Sequence, residues 1–320
     1  MTKLIELQIV CLQSYHLSSI FIMVQEKKNV ALGSVIAAVF ITGFKLIIGL
    51  LTGSLGIISE ALHSGLDMVA AIITYFSVRV SDKPADRDHN YGHGKVENLS
   101  ALIETILLLV TCVWIINEAI HRLISGETKI EVTVWSYIVV IFSIVIDFTR
   151  SRALYRVAKK HNSQALEADA LHFSTDIWSS TVVLFGLICY QFLGWYRADS
   201  IAALFVAVIV LYVSYQLGRK AIDVLLDKSP ANTTKIVHEI LKQHPEVLKY
   251  HGLKARTAGA DTFIKFNVHF DPDLSLREVH EDCDKIESEI KKQIVRSEVY
   301  IHAEPEEISH LENEVNDDFV

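Results

Sequence analysis

Two His-x-x-x-Asp motifs, His63 to Asp67 and His172 to Asp176, contain the residues of this chain that are best suited to chemistry. A spacing of four places both side chains of a motif on one face of a helix. Each motif lies in an apolar run long enough to cross a bilayer, where imidazoles and carboxylates are costly unless paired or bound. Two nitrogens and two oxygens from facing helices form a tetrahedral set suited to zinc. The motifs therefore predict a metal site inside a membrane.

Protons compete with a metal for these four groups. A tetrahedral zinc ion needs neutral imidazoles and ionised carboxylates, so metal binding and protonation exclude each other. This competition is a chemical basis for exchanging metal against protons. The alternative is two intramembrane His–Asp pairs that only tie helices together, but that role does not require the same spacing on two segments.

The composition is that of a membrane protein with a soluble appendage. The chain has 320 residues, of which 51% are apolar, and its mean hydropathy is +0.32. The net charge of −8 comes largely from the C-terminal third. The four cysteines form no CxxC, so neither a disulfide framework nor a thiolate zinc site is indicated. No basic stripe with interleaved aromatic residues is present, and we expect no nucleic-acid partner.

Six apolar segments are each long enough to span the hydrocarbon core of a lipid bilayer. They lie at 30–51, 55–78, 99–120, 132–148, 170–193 and 198–215. Lysine and arginine concentrate on one side of this arrangement, so the positive-inside rule places both termini in the cytoplasm; which membrane is crossed stays open. We expect a transmembrane domain at 30–220 and an N-terminal extension at 1–29, with a seventh helix before Met23 as the alternative. Lys45 and Glu104 lie inside spans and either serve a function, face an aqueous cavity or snorkel.

A soluble domain is predicted at 221–305, followed by an acidic, solvated tail at 306–320. Its predicted elements are a helix at 233–243, strands at 250–257 and 262–270, a second helix and a last strand at 298–303. Ser275 and Glu278 form a capping box that opens the second helix, with Leu276 the first of its inward apolar residues. The fold class is therefore an all-α six-helix transmembrane bundle plus a C-terminal α+β domain of αββαβ order, ferredoxin-like or metallochaperone-like.

The sequence around each motif resembles the cation diffusion facilitator family. The matching strings are SEALHSGLD at 59–67, YGHGKVE at 91–97 and ADALHFSTD at 168–176. With six spans and a C-terminal αββαβ domain, the resemblance covers about residues 27–305. It implies a multi-pass homodimer, a transporter and not an enzyme, that exports divalent metal from the cytoplasm in exchange for protons.

The resemblance implies that the two motifs form the transport site and that a second metal site lies in the second loop. There, Asp86, His89 and His93 match the family's ligands, and His89 and His93 would face one way on a helical turn. The alternative is a solvated polar loop. Lys95 and Asp227 match positions that the family uses for a charge interlock near the dimer interface.

A third metal site is implied in the soluble domain. The matching positions are His251, His280, His302 and Glu304. The family pattern expects another histidine where this chain has Asn267, and His269, two residues on along the same strand face, is its candidate substitute. One zinc ion or two is left open, and the alternative is a set of surface histidines.

We therefore expect proton-coupled efflux of a divalent metal. Zn²⁺ is favoured because imidazole ligands prefer it to hard-oxygen metals, and the family associates histidine at the position of His63 with zinc over manganese. Cd²⁺, Co²⁺ and Fe²⁺ remain alternatives. Two other function classes remain as alternatives. An intramembrane metal-dependent hydrolase would need an open zinc position, and a non-transporting metal-sensing partner subunit would not need the intact set of four ligands.

Overall fold

Long helices form the N-terminal part of the chain in a computed structural model that describes residues 2–52, 55–125, 134–193 and 198–306. The described helices are α1 Thr2–Thr52, α2 Leu55–Ser81, α3 Lys95–Ser125, α4 Val134–His161, α5 Gln164–Leu193 and α6 Ala198–Leu225. Stretches long and apolar enough to cross a membrane occur at Ile22–Leu51, Ala61–Ser81, Lys95–His121 and Ala203–Leu225. These helices support a multi-pass membrane domain, and the count of six spans stays a prediction.

Two helices extend beyond the spans predicted from sequence. α1 is continuous from Thr2, so the described part of the chain has no separate helix before Met23. α4 continues to His161, and residues expected in the fourth loop are helical because Ala, Leu, Arg and Lys all favour a helix in water. Asn162, at φ 51°, ends α4 in the left-handed conformation that commonly stops helices. The connection to α5 is therefore only two residues long.

Small residues allow the N-terminal helices to approach closely. α1 packs against α2 and α4, and α4 packs against α5. Their shared core is rich in alanine, including Ala31, Ala71, Ala158 and Ala165. In a membrane, apolar burial does not drive helices together, and van der Waals packing takes its place. Small side chains allow the close backbone approach that this packing requires. This packing brings α2 and α5, which bear the two motifs, into contact.

The chain from Asp223 onward forms a second compact unit. Its elements are α7 Ala231–Leu241, β1 Lys249–Ala258, β2 Asp261–Phe270, α8 Leu276–Gln293 and β3 Ser297–Pro305. The central strand β2 pairs antiparallel with β1 and parallel with β3. The predicted αββαβ order is confirmed.

One face of this sheet packs on the helices. Phe266 and Val268 of β2 share a buried core with Ile286 and Ile290 of α8. Because side chains alternate along a strand, the residues between them on β2 face away from the helices. The predicted capping box at the start of α8 is present. Leu276, however, is 87% exposed, so its predicted inward position is wrong; it lies in the first turn, ahead of the part of α8 that contacts the sheet.

The predicted acidic tail lies outside the described residues from 307 onward. Its first residue, Glu306, is described and continues the pairing of β3, because its backbone N–H donates to the carbonyl of Phe270 at 2.9 Å. Glu306 therefore belongs to the sheet, one residue beyond the boundary expected from sequence.

Candidate metal sites

The side chains of the two His-x-x-x-Asp motifs meet between α2 and α5. His172 Nε2 lies 3.0 Å from Asp67 Oδ1 and 3.7 Å from Asp176 Oδ2. His63 Nε2 lies 4.0 Å from an oxygen of each carboxylate. We call His63, Asp67, His172 and Asp176 the quartet. Asp67 and His172 are buried, so this part of the quartet lies between the helices and not on the surface of the bundle.

Three members of the quartet, Asp67, His172 and Asp176, have ligand atoms within 4.8 Å of one another, close enough to share one metal ion. Zinc binds nitrogen and oxygen ligands at roughly 2.0–2.2 Å, which puts the ligand atoms of a tetrahedral site about 3.3 Å apart. The two contacts of His172, at 3.0 and 3.7 Å, lie on both sides of that value, whereas His63, at 4.0 Å from each carboxylate, lies outside this group of three. In the part of the chain that the structure describes, no group hydrogen-bonds Nδ1 of His63 or His172. The Nε2 atoms face the carboxylates, so they are the atoms placed to bind a metal together with them.

A cavity of about 40 Å³ opens beside the quartet between α3, α5 and α6. His63 and Asp176 lie on its wall, together with Cys112, Thr175 and Ser179. The cavity gives the ligand atoms a partly polar opening on the side away from α1. It exceeds the roughly 10–15 Å³ that one water molecule needs, so it can hold polar cargo.

The loop between α2 and α3 brings Asp86, His89 and His93 together. Asp86 Oδ1 lies 3.3 Å from His89 Nδ1, and its Oδ2 lies 3.4 Å from His93 Nε2. The backbone N–H of His89 holds the pKa of Asp86 below its ordinary value, which keeps the carboxylate ionised. The expected helical turn is wrong, because Gly92 at φ 73° folds the segment back and its N–H donates to the carbonyl of His89.

The sheet face opposite the helices of the second unit contains a third cluster. His269 Nε2 lies 3.1 Å from His251 Nδ1 and 3.4 Å from Glu304 Oε2. His251 is placed by an irregularity in β1 that follows it directly, where Gly252 adopts φ 64°. Such a bulge redirects a side chain. Two imidazoles and a carboxylate within this distance could serve as three ligands of one metal ion.

Asn267 and Glu306 surround this third cluster. The Asn267 amide lies 3.1 Å from His251 Nε2 and donates to Glu304 Oε1 at 3.0 Å. An amide nitrogen does not bind zinc. Asn267 is therefore not a metal ligand here, and its hydrogen bonds orient the side chains that are candidates. His269 Nδ1 lies 2.8 Å from Glu306 Oε2. Sequence reasoning missed Glu306, although the alternation of His302, Glu304 and Glu306 along one strand face was a usable signal.

Two of the histidines expected at this third site lie apart from it. His280 is 74% exposed on α8, with Nε2 at 3.8 Å from Asp284 of the same helix. α8 packs on the other face of the sheet, so His280 is separated from the cluster by the strands. His302 is 66% exposed, and its Nε2 lies 3.4 Å from Glu304 Oε1 at the margin of the cluster.

The two residues expected in a charge interlock belong to different units. Lys95 begins α3 in the first unit. Asp227 lies at the start of the second unit, where Arg256 Nη1 donates to its carboxylate at 3.4 Å. The interlock stays a prediction.

The chain combines membrane-length helices, two imidazoles and two carboxylates that meet between α2 and α5, and a separate αββαβ unit. These features define a class of multi-pass integral membrane protein that handles metal cations. Residues 31–226 match the family model of the cation efflux transmembrane domain, and residues 230–306 match that of the cation efflux protein cytoplasmic domain. The chain belongs to the cation efflux family, the cation diffusion facilitators. This membership supports efflux of divalent metal cations, and the family's members are transporters.

Two relatives are similar to this chain over most of its length. The cation-efflux pump FieF of Shewanella oneidensis is 31% identical over 276 residues, which cover 86% of this chain and 93% of that protein. An uncharacterized transporter of Synechocystis, sll1263, is 32% identical over 274 residues, or 85% of this chain and 88% of the other. The solved metal-bound C-terminal domain of the CzcD transporter from Thermotoga maritima is 29% identical, covers 23% of this chain and 88% of that one, and has a TM-score of 0.23.

Proposed function

We propose that this chain exports zinc from the cytoplasm across a membrane in exchange for protons. The quartet is the transport site in this proposal. The observation that carries it is that α2 and α5 bring ligand atoms of Asp67, His172 and Asp176 within 4.8 Å of one another, with His63 Nε2 at 4.0 Å from both carboxylates. Two carboxylates offset both charges of a divalent cation, and two imidazoles favour zinc over hard metals such as manganese.

Exchange against protons is supported by the contact between His172 and Asp67. At 3.0 Å, the nitrogen and oxygen atoms share a hydrogen bond, which requires a proton between them. A metal bound to the same two atoms must displace that proton. Nδ1 of His172 has no hydrogen-bond partner among the described residues, so moving the proton across the ring would leave it buried and unsatisfied. Release of the proton to one side of the membrane is the less costly outcome.

The other two clusters are proposed to bind metal without carrying it. The loop cluster of Asp86, His89 and His93 lies outside the candidate spans, where a metal would join the ends of α2 and α3. The cluster of His251, His269 and Glu304 joins all three strands of the cytoplasmic domain, so a zinc ion there would stiffen that domain and regulate transport. We further propose a homodimer with both termini in the cytoplasm, with Lys95 and Asp227 as the interlock.

Metal uptake into inverted membrane vesicles tests this function. The cytoplasmic face points outward, so export appears as uptake, and an acid interior should drive it. Zn²⁺, Cd²⁺, Co²⁺, Fe²⁺ and Mn²⁺ are compared at equal free concentration. We expect Zn²⁺ uptake that depends on the acid interior and exceeds Mn²⁺ uptake. Equal uptake of zinc and manganese, or uptake that is indifferent to the gradient, would contradict the proposal.

A further inference from the structure

Lys45 is a buried cation in the membrane-length part of α1. Its side chain is only 5% exposed within the helix assembly, so it does not snorkel toward either end of the span. Its Nζ donates to Ser64 Oγ of α2 at 2.8 Å. One turn earlier on α1, Thr42 Oγ1 donates to the carbonyl of Ser64 at 2.9 Å. The first hydrogen bond holds the ammonium group beside α2, and the second ties the preceding turn of α1 to the same residue.

Ser64 places that charge next to the quartet. It follows His63 directly and precedes Asp67 by three residues, so its side chain is a neighbour of Asp67 on the helix surface. Residues three apart on a helix have Cβ atoms about 5–6 Å apart, so the ammonium held by Ser64 is close to Asp67. The ammonium therefore lies within about one helical turn of a quartet ligand, in surroundings that screen charges weakly.

We infer that Lys45 sets the metal affinity of the quartet, weakening it so that a bound divalent cation can leave. The inference rests on the proposed role of the quartet in transport. A fixed positive charge repels a divalent ion at the neighbouring site, and once the ion has gone it offsets the charge of the carboxylates. Lys45 therefore lowers the free energy of the empty site and raises that of the loaded site. A transport site must bind weakly enough to release its cargo, and Lys45 supplies that weakening.

The sign of the effect separates this role from a structural one. A residue that only stabilises the bundle should, when replaced, reduce the rate of transport and leave the KM for zinc unchanged or higher. Removal of a repelling charge should instead lower KM and also lower the maximal rate, because release becomes slow. For one charge about a helical turn away, we expect KM to fall about tenfold or more.

Four variants of the full-length protein in proteoliposomes make the comparison. Lys45→Met and Lys45→Gln remove the charge, and Lys45→Arg retains it. Lys28→Met is the matched control, because it removes a lysine from the same helix about 25 Å away along the axis. We expect a lower KM and maximal rate for both neutral variants, and a KM within about twofold of wild type for Lys45→Arg and Lys28→Met. Zinc is also titrated into each protein and into the same protein with Asp176→Asn added. The difference between the two titrations isolates zinc binding at the quartet, and its affinity should change in the same direction as the affinity inferred from KM.

The outcomes separate this inference from the proposed function. Wild-type uptake that does not depend on Asp176 overturns both. Wild-type uptake that depends on Asp176, with unchanged or raised KM in Lys45→Met and Lys45→Gln, overturns the role of Lys45 alone. If neither neutral variant is monodisperse in size-exclusion chromatography, Lys45→Arg is the deciding variant. A KM near that of wild type supports the charge of Lys45 as the relevant property. A tenfold fall in KM overturns the inference.

Discussion

Replacing Asp176 by asparagine should remove a ligand from the quartet while keeping the shape of the side chain. Asp176 Oδ2 lies 3.7 Å from His172 Nε2, and its Oδ1 lies 4.0 Å from His63 Nε2. Asparagine keeps the size and shape of the side chain, so folding should be little affected. The bound ion, however, loses one anionic ligand and is left with one carboxylate to offset two charges.

The size of the effect follows from the behaviour of metal sites. Residues that only support a metal ligand typically cost 10–100-fold in affinity when replaced. Loss of the ligand itself should cost at least the upper end, about 100-fold, which corresponds to about 2.7 kcal/mol of binding free energy. At zinc concentrations below KM, the initial rate of uptake should fall by at least that factor.

The assay is initial zinc uptake by proteoliposomes of matched protein content, with insertion checked by protease accessibility. Asp88→Asn serves as the control, because Asp88 is an exposed carboxylate in the second loop and belongs to none of the metal-ligand clusters. It should transport at the wild-type rate. Near-wild-type flux in Asp176→Asn would refute the assignment of the quartet as the transport site.

Three further predictions concern metal choice and the cytoplasmic domain. His63→Asp gives the quartet three carboxylates and one imidazole, so the uptake ratios of zinc to manganese and of cadmium to zinc should both fall in a mixed-ion assay; unchanged ratios would exclude His63 as a selectivity ligand. The unit from Asp223 onward has its own core, and zinc at a hundredfold excess over Kd should add about 2.7 kcal/mol to its unfolding free energy. His269→Ala should abolish this gain and His280→Ala should retain it; the reverse result would favour His280 as the ligand. His244 lies between Glu246 and Glu289; burial lowers its pKa, but the two carboxylates outweigh this and raise the folded-state pKa above its ordinary value of about 6.5. The stabilisation is therefore complete below that unfolded-state value and lost as pH rises through the folded-state one, so thermal melts of the zinc-free unit should show this loss and His244→Gln should lack it.

Local patterns were sufficient to predict much of the fold. Alternation along β2, the capping box at Ser275 and the apolar stripe of α8 all depend on residues close in sequence. The quartet was also predictable, because the spacing of four on each helix already aligns His63 with Asp67 and His172 with Asp176. Chain-local chemistry therefore indicated the architecture and the residues of the quartet, whereas their meeting depends on the packing of α2 against α5.

The remaining features depend on contacts between residues far apart in sequence. His269 and not His280 lies with His251, because α8 packs on the sheet face opposite the cluster, which no local pattern specifies. The shape of the second loop depends on the positive φ of Gly92. The pairing of Lys45 with Ser64 joins two helices, and sequence could only mark this lysine as an unexplained charge in a span.

Simultaneous measurement of zinc and proton movement in the same proteoliposomes tests the central claim most directly. One dye inside the vesicles reports zinc and a second reports pH, while a zinc pulse is added outside. Exchange at the quartet predicts that zinc entry is accompanied by proton exit, that both are absent in Asp176→Asn, and that a proton uncoupler collapses any uptake driven by an acid interior. Zinc entry in the wild-type protein without proton exit would contradict the account.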